Sequence, residues 1–458
     1  MTPWNAAPSA RETAAGLLER ALEGQAPFGF EEMDLPLDAL GPADRRLAHE
    51  IVLGTLRRLP ALDAALAPFL RQPLDRMDPP LRALLRTAAY QLRFLDRVPD
   101  YAVVSESVKI ARRRVGPRAA GFVNAVLRKV AAAPPARPEG PAEAHCHPEW
   151  LVERWLRHWP EADLSRWMAE SNRTPPVHVT VWTPRISLAA FLDRARAEGG
   201  EPSELFPAPG GGSQPGGRLP VVEIAAGPDR ASARAPHDVA RSLAAEGLCF
   251  LQDAGAALAA LAVPDRPYRR VLDLCAAPGG KAFVLAMRFP GAWVTAADRS
   301  PARLRALEAR RAQLGAGNVR PVAADAVKPP FREGAFDLVL ADVPCSGTGT
   351  LRRNPDLRWK LTPERIVRLP RLQAAILEAA ASLTAPGGVL AYVTCSAEPE
   401  ENEDVVERFR GSRGDRFRPV HPGEGFRAWT TPAGHLRTFP SATAGEGFFC
   451  ALFERTGG

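Results

Sequence analysis

The sequence predicts an α/β protein: a Rossmann-like doubly wound domain, preceded by an all-helical domain and a small α/β (RRM-like) middle domain. Three observations predict this. From about residue 246 short apolar runs alternate with longer amphipathic stretches. Residues 11 to about 132 carry helical periodicity and nothing else. Between them one strand-like run lies among helical text. A chain of 458 residues is also too long for one ordinary core.

In the first region, the apolar residues of the segment Leu81 to Leu92 fall at 81, 84, 85, 88 and 92, one face of a helix. Asp78-Pro79-Pro80 before it is a helix-start signal. Gly54 to Leu70 and Ala102 to Arg114 read the same way. Ala131 to Ala144, rich in Ala and Pro, reads as a linker. This sets domains at 1–135, 136–245 and 246–458.

The middle region begins with helical text from His147 to Glu170. Val177 to Trp182 alternates like a strand, and Leu188 to Glu198 reads as a helix. Residues 207–217, Pro, Ala, Gly, Ser and Gln only, are expected to form a flexible surface loop.

In the third region the apolar runs Val271–Leu274, Trp293–Ala297, Val319–Ala323, Leu338–Ala341 and Val389–Thr394 read as buried strands. Helical stretches such as Pro301–Leu314 and Pro363–Leu383 separate them. That alternation is the pattern of a doubly wound parallel sheet.

Composition sets the outer bounds. No apolar run approaches the ~20 residues that span a bilayer. The first ten residues lack a basic stretch followed by an apolar one, so no secretory signal is expected and the cytoplasm is the expected location. The six cysteines form no Cys-x-x-Cys pair, which argues against structural zinc and thioredoxin-like chemistry; no metal is expected. The net charge of +7 favours a polyanionic partner, although an arginine-rich composition also follows from a GC-rich genome. Residues 104–130 carry seven basic residues against the single acid Glu106, and charge alone does not distinguish a solvated helix face from a phosphate-binding one.

The strand Val271 to Leu274 runs into Cys275-Ala276-Ala277-Pro278-Gly279-Gly280-Lys281 and then helical text. Ligands of such sheets bind beyond the carboxyl ends of the strands, and the glycines let backbone approach a ligand. The turn is neither a P-loop nor G-x-G-x-x-G. Three later acids sharpen the reading. Asp298 ends the second strand, where a carboxylate can accept ribose hydroxyls. Asp325 follows the third, where it could accept from an adenine amino group. Asp342 closes the fourth. Together they indicate a nucleoside cofactor without a 2′-phosphate.

Two cysteines stand just past strand ends, in Asp342-Val-Pro-Cys345-Ser-Gly and in Thr394-Cys395-Ser. A lone buried cysteine is usually a small hydrophobe; a pair beside a cofactor loop points to covalent chemistry. Cytosine C5 becomes nucleophilic only when a thiolate adds to C6. A reaction of that kind needs a thiolate, a group on the base edge and a proton acceptor. Lys281 could supply the charge that favours the thiolate, and Asp342 is placed for the base edge. The target base would have to be unstacked. The residues themselves do not say which cysteine attacks.

The segments Asp273–Lys281, Asp342–Gly349 with Arg353–Trp359, and Thr394-Cys395-Ser resemble the Nol/Nop/Sun family of RNA cytosine-C5 methyltransferases. Gln252-Asp253 and Gly447-Phe-Phe449 match flanking motifs of that family. Asp44–Arg57, Arg86–Leu92 and Gly121–Leu127 resemble the NusB-like domain of its bacterial Sun/Fmu branch, which implies an RNA-binding role for residues 1–135, and His147–Leu151 resembles the start of its middle region. The resemblance implies Cys395 as nucleophile, Cys345 as the residue that assists product release, and S-adenosylmethionine held by Cys275–Lys281, Asp298, Asp325 and Asp342. It further implies a monomer acting on 16S ribosomal RNA, free or in an early small-subunit assembly. Gly255, Thr180 and Trp182 depart from the family pattern. Rival readings are the same chemistry on tRNA, a non-catalytic RNA-binding assembly factor, and an antiterminator-like binding protein.

Overall fold

The computed structural model describes residues 9–23, 37, 39–135, 138, 140–206, 220–227, 234–438 and 445–457. The loop expected at 207–217 and residues 1–8 lie outside the described residues. The chain forms two compact units: Met1–Arg173 with Leu351–Leu361, and Thr174–Thr350 with Thr362–Gly458. No helix among the described residues is long and apolar enough to cross a membrane.

The first unit is helical: α1 (Ala10–Glu23), α2 (Pro42–Leu66), α3 (Pro79–Phe94), α4 (Asp100–Arg114), α5 (Pro117–Ala132), α6 (Glu149–Leu156) and α7 (Glu161–Ser171). Helix α3 starts where Asp-Pro-Pro places it, because proline in the first turn lacks only an N–H that would have no helical partner. Its apolar stripe, with Leu84, Leu85 and Ala88, is buried against Val103, Ile110, Val123 and Leu127 of α4 and α5. The linker expected at 131–144 starts later than its composition suggests: α5 runs to Ala132 and a single turn forms at Pro141–Ala144. The helical text at 147–170 divides into α6 and α7, with Pro160 as the N-cap of the second.

The excursion Leu351–Leu361 completes this unit. Arg358 is fully buried and donates to Cys146 O at 3.1 Å, Asn172 Oδ1 at 2.8 Å and Ser171 O at 3.3 Å. Trp359 Nε1 donates to Leu56 O at 2.8 Å. A buried guanidinium is tolerable only with such acceptors around it. The family-like segment Arg353–Trp359 thus serves the helical unit.

The second unit holds two sheets. The smaller, ordered β2-β3-β1-β4, is antiparallel and consists of β1 (Val177–Val181), β2 (Gly200–Glu204), β3 (Val221–Ala226) and β4 (Cys249–Leu251). It packs on α8 (Leu188–Ala197) and α9 (Pro236–Ala245). Of these strands only β1 announces itself by alternation; Gly-Glu-Pro-Ser-Glu of β2 is an edge whose pairing comes from β3.

The larger sheet is ordered β10-β12-β9-β8-β5-β6-β7, with β11 beside β12. Its five parallel strands are β5 (Arg270–Asp273), β6 (Trp293–Asp298), β7 (Val319–Ala323), β8 (Phe336–Asp342) and β9 (Thr384–Thr394). These are the five expected strands. The sheet is nevertheless mixed, because β12 (Phe448–Arg455) and β10 (Phe417–Val420) add antiparallel, as does β11 (Leu436–Thr438). The accompanying helices are α10 (Ala254–Leu261), α11 (Gly280–Arg288), α12 (Pro301–Leu314), α13 (Pro363–Leu383) and α14 (Glu403–Arg413). Two apolar cores cover the two faces: Leu338 and Leu340 of β8 enter one, Val339 and Ala341 the other. Strand order reverses between β5 and β8, the point beyond whose strand ends sheets of this kind bind ligands.

Candidate active site

The loop after β5 leaves the sheet at this switch point. Gly279 has φ 107°, and a Cβ there would lie 2.7 Å from the Phe283 ring, so only glycine makes this turn. The Ala277–Pro278 peptide is cis. Ala277 N donates to Asp298 Oδ2 at 3.2 Å, which ties the loop to the end of β6. Asp298 Oδ1 accepts from Ser300 N at 2.9 Å, and Arg303 Nη1 reaches Asp298 Oδ2 at 3.1 Å. Asp325 is exposed, with Oδ1 accepting from Val327 N at 2.9 Å within its own turn.

Lys281, in the first turn of α11, points to the end of β8. Its Nζ lies 2.7 Å from Asp342 Oδ2 and 4.8 Å from the centroid of the Phe448 ring. Burial works against its charge, but Asp342, then Asp273 and Cys395, overcome this and raise its pKa. Lys281 is therefore an ammonium that feels the Cys395 sulfur.

Parallel pairing sets Asp342 of β8 opposite Val393 of β9. The loops that follow therefore leave the sheet side by side, and Cys345 Sγ lies 3.1 Å from Cys395 Sγ. Cys395 N also donates to Cys345 Sγ at 3.3 Å. The bond to Cys395, burial, and the nearby Glu401 carboxyl hold the Cys345 thiol well above its ordinary pKa. Burial pushes the Cys249 and Cys450 thiols up to about 12, and likewise raises Cys275.

A buried polar network holds the two loops. Glu401 accepts from Ser346 N at 3.0 Å and from Ser346 Oγ at 2.6 Å. Asn402 Nδ2 donates to Ser396 O at 2.9 Å, and Thr394 Oγ1 donates to Asn402 Oδ1. Ala397 N donates to Thr348 Oγ1 at 2.9 Å. Adjacent residues 401 and 402 thus grip one cysteine loop each. Such networks fix geometry when every member is satisfied. Sequence reading did not single out Glu401 or Asn402; an acid-rich turn so soon after Thr-Cys was the available signal.

Asp273 was also not among the expected site residues, although it sits at a strand end in the same motif. It is fully buried, and the Ala282 backbone N–H is the one hydrogen-bonding group that lowers its pKa. Burial, then Asp342, push its pKa up to about 8 against the pull of Lys281. The neutral acid is the form the fold prefers. Its contribution to stability is complete below the unfolded pKa of 3.8 and is lost as pH rises towards 8. Between pH 5 and 8 the ligand-free protein should lose up to about 1.4 kcal/mol per pH unit through this group. Thermal melts of Asp273→Asn should show a flatter pH dependence than the parent. Parallel curves would mean that Asp273 ionises freely.

The departures from the expected pattern have local reasons. A Cβ on Gly255 would lie 2.4 Å from Glu446 O, which excludes a side chain. Thr180 Oγ1 donates to Gln252 Oε1 at 2.8 Å and holds that amide against Gly280. Trp182 is buried in the same apolar core as Ala276 and Ala277.

Family models match three stretches: the 16S rRNA methyltransferase RsmB/F family at 260–454, the NusB family at 8–132, and the RsmF/B-like ferredoxin-like domain at 147–209. The chain is 32% identical to the probable ribosomal RNA small subunit methyltransferase B of Synechocystis, over 91% of this chain and 92% of that protein. It is 35% identical to ribosomal RNA small subunit methyltransferase B of Xanthomonas campestris, over 90% and 89%. The chain belongs to the ribosomal RNA small subunit methyltransferase B family. The match to the family's probable member in Bacillus subtilis is 30%, over 91% and 92%. Among solved structures, PH0851 shares the fold with TM-score 0.79 and 25% identity, over 97% of this chain and 99% of that one. NSun6 from Pyrococcus horikoshii, solved with SFG, has TM-score 0.55 at 19% identity over 68% of this chain and 99% of that one, a likeness of fold. The family's NusB-like, ferredoxin-like and methyltransferase parts thus account for the expected fold class.

Proposed function

We propose that this member of the family transfers a methyl group from S-adenosylmethionine to C5 of a cytosine in 16S ribosomal RNA, through a covalent bond between Cys395 and C6. The observation that carries the reading is the thiol pair, 3.1 Å apart, at the ends of two adjacent strands. Lys281 and Asp342 are joined at the end of one of them.

The residues fit the cofactor. Asp273, Asp298 and Asp342 gather around one loop with the cations Lys281 and Arg303, and Asp273 is a fully buried carboxyl with no ion pair among the described residues. A ligand with positive groups suits that cluster, and S-adenosylmethionine carries two, a sulfonium and an ammonium. Cys275–Lys281, with Asp298, Asp325 and Asp342, would hold it. When bound, it supplies an electrophilic methyl group.

The chain's own residues do the rest. Cys395 adds to C6 as a thiolate; the S–C6 bond forms and the C5–C6 π pair becomes available at C5. Asp342 hydrogen-bonds the edge of the base and keeps C5 oriented. Once C5 carries the methyl group, its proton leaves to a base. That electron pair restores the C5–C6 double bond, the S–C6 bond breaks, and Cys395 departs as thiolate. Cys345, held as a thiol, has the proton needed to meet the departing sulfur. The choice of Cys395 over Cys345 as the nucleophile rests on the resemblance of Thr394-Cys395-Ser to the family motif.

Bisulfite sequencing of 16S ribosomal RNA from a deletion strain and its parent tests the reading. One cytosine should lose its protection in the deletion. Loss in tRNA instead would move the substrate, and no change in either RNA would overturn catalysis in favour of an RNA-binding assembly role.

A further inference from the structure

Both cysteines are held through the residues that flank them, and one short turn does the holding. Glu401 ends the turn Pro399–Glu401, Asn402 links it to α14, and both are fully buried. Glu401 accepts from Ser346 N at 3.0 Å and from Ser346 Oγ at 2.6 Å, directly after Cys345. Gln373 of α13, also fully buried, donates to Glu401 Oε1 at 3.3 Å and to Pro344 O at 3.0 Å, directly before Cys345. Cys345 is therefore fixed from both sides through one carboxyl and its amide partner. Asn402 treats Cys395 likewise. Its Nδ2 donates to Ser396 O at 2.9 Å, and its Oδ1 accepts from Thr394 Oγ1.

The two halves are coupled. Ser346 Oγ gives its one proton to Glu401, so the 3.0 Å contact between the Ser346 and Ser396 hydroxyls has Ser396 as donor. Tyr392 of β9 donates to Glu401 O at 2.5 Å and anchors the turn to the sheet. A chain of satisfied buried groups is stiff, because each broken bond would leave an unpaired partner in a dry interior. The 3.1 Å separation of the thiols is thus held through the neighbours of the cysteines rather than through the sulfurs alone. The Glu401 carboxyl also adds to what keeps the Cys345 thiol above its ordinary pKa.

We infer that Glu401 and Asn402 are positioning residues that divide the reaction between them: Glu401 holds Cys345 for release of the product, and Asn402 holds Cys395 for addition to C6. These roles rest on the methylation reading. At release the S–C6 electron pair returns to the Cys395 sulfur, which takes the proton of Cys345, and Cys345 is reprotonated from solvent. That transfer requires a short and constant distance between the two sulfurs. Addition requires only that Cys395 be aimed at the base.

The test uses the full chain, S-adenosylmethionine, and 16S ribosomal RNA transcripts made with cytidine or with 5-fluorocytidine. Fluorine at C5 cannot leave as a cation, so the fluorinated RNA stops at the methylated adduct and reads addition and methyl transfer alone. Glu401→Gln should trap on fluorinated RNA at the parent rate. On ordinary RNA it should turn over roughly tenfold to a hundredfold more slowly, the scale of a small misplacement, and accumulate an adduct that survives denaturing gels. Asn402→Ala should trap on fluorinated RNA about a hundredfold more slowly and accumulate no adduct on ordinary RNA. Gln373→Met loses the tie to Pro344 and leaves Glu401 in place. It should repeat the Glu401→Gln pattern in milder form, and it carries the test if Glu401→Gln does not fold. Equal slowing of the Glu401 and Asn402 variants on both RNAs would overturn the division and reduce the turn to scaffolding. Slowed trapping by Glu401→Gln, or an adduct built up by Asn402→Ala, would overturn it as well. A parent that neither traps on fluorinated RNA nor methylates ordinary RNA would overturn the methylation reading, and these roles with it.

Discussion

Cys395→Ala should lower methyl transfer by about four orders of magnitude or more, the scale on which loss of a covalent nucleophile acts. Without the sulfur, C5 of cytosine has no route to becoming an enamine-like nucleophile. Other groups at the site cannot substitute. Cys345 is held as a thiol by its bond to Cys395, by burial and by Glu401, and Cys275 is raised in the same direction. Removing Cys395 leaves the loop after β5 and its Asp298 tether untouched, so cofactor affinity should stay within a few-fold of the parent. Equilibrium binding and single-turnover methylation, measured on the same preparation, separate the two. Retained turnover would eliminate Cys395 as nucleophile.

Cys345→Ala should have a different signature. Addition to C6 and methyl transfer need Cys395, whereas release needs the S–C6 bond to break. Loss of a positioned proton carrier slows such a step by about 10²- to 10⁴-fold. The variant should therefore accumulate a protein–RNA adduct that survives denaturing gels, formed only when cofactor is supplied. A variant that turns over slowly with no adduct would show that Cys345 acts before or during addition. The Sγ–Sγ distance of 3.1 Å makes the first outcome the expected one.

What could be read in the sequence follows from how local each signal is. The five parallel strands and helices α12 and α13 stand in the text because buried strands are continuous apolar runs and long helices have a regular period. The antiparallel strands β10 to β12, and β2 to β4 of the small sheet, were not read, because pairing with distant residues defines them. The same division runs through the site. Cys275–Lys281, Asp342, Cys345 and Cys395 lie at strand ends within recognisable turns. That Cys345 and Cys395 touch follows from the β8–β9 register, which no local pattern encodes. Arg303 looks like any exposed helical arginine until Asp298 is placed beside it.

The segment Leu351–Leu361 has a consequence for synthesis. The helical unit is otherwise complete at Arg173, but the guanidinium that its carbonyls at Cys146 and Ser171 receive is made roughly 180 residues later. At about 5–20 residues per second, the emerging helices wait some 10–35 s for Arg358 and Trp359. During that interval the helical body is unfinished, and a ribosome stalled before codon 351 would display it with a gap in its core. A chain that ends before residue 351 therefore lacks the donors of Arg358 and Trp359, and the helical unit does not correspond to one consecutive stretch of sequence.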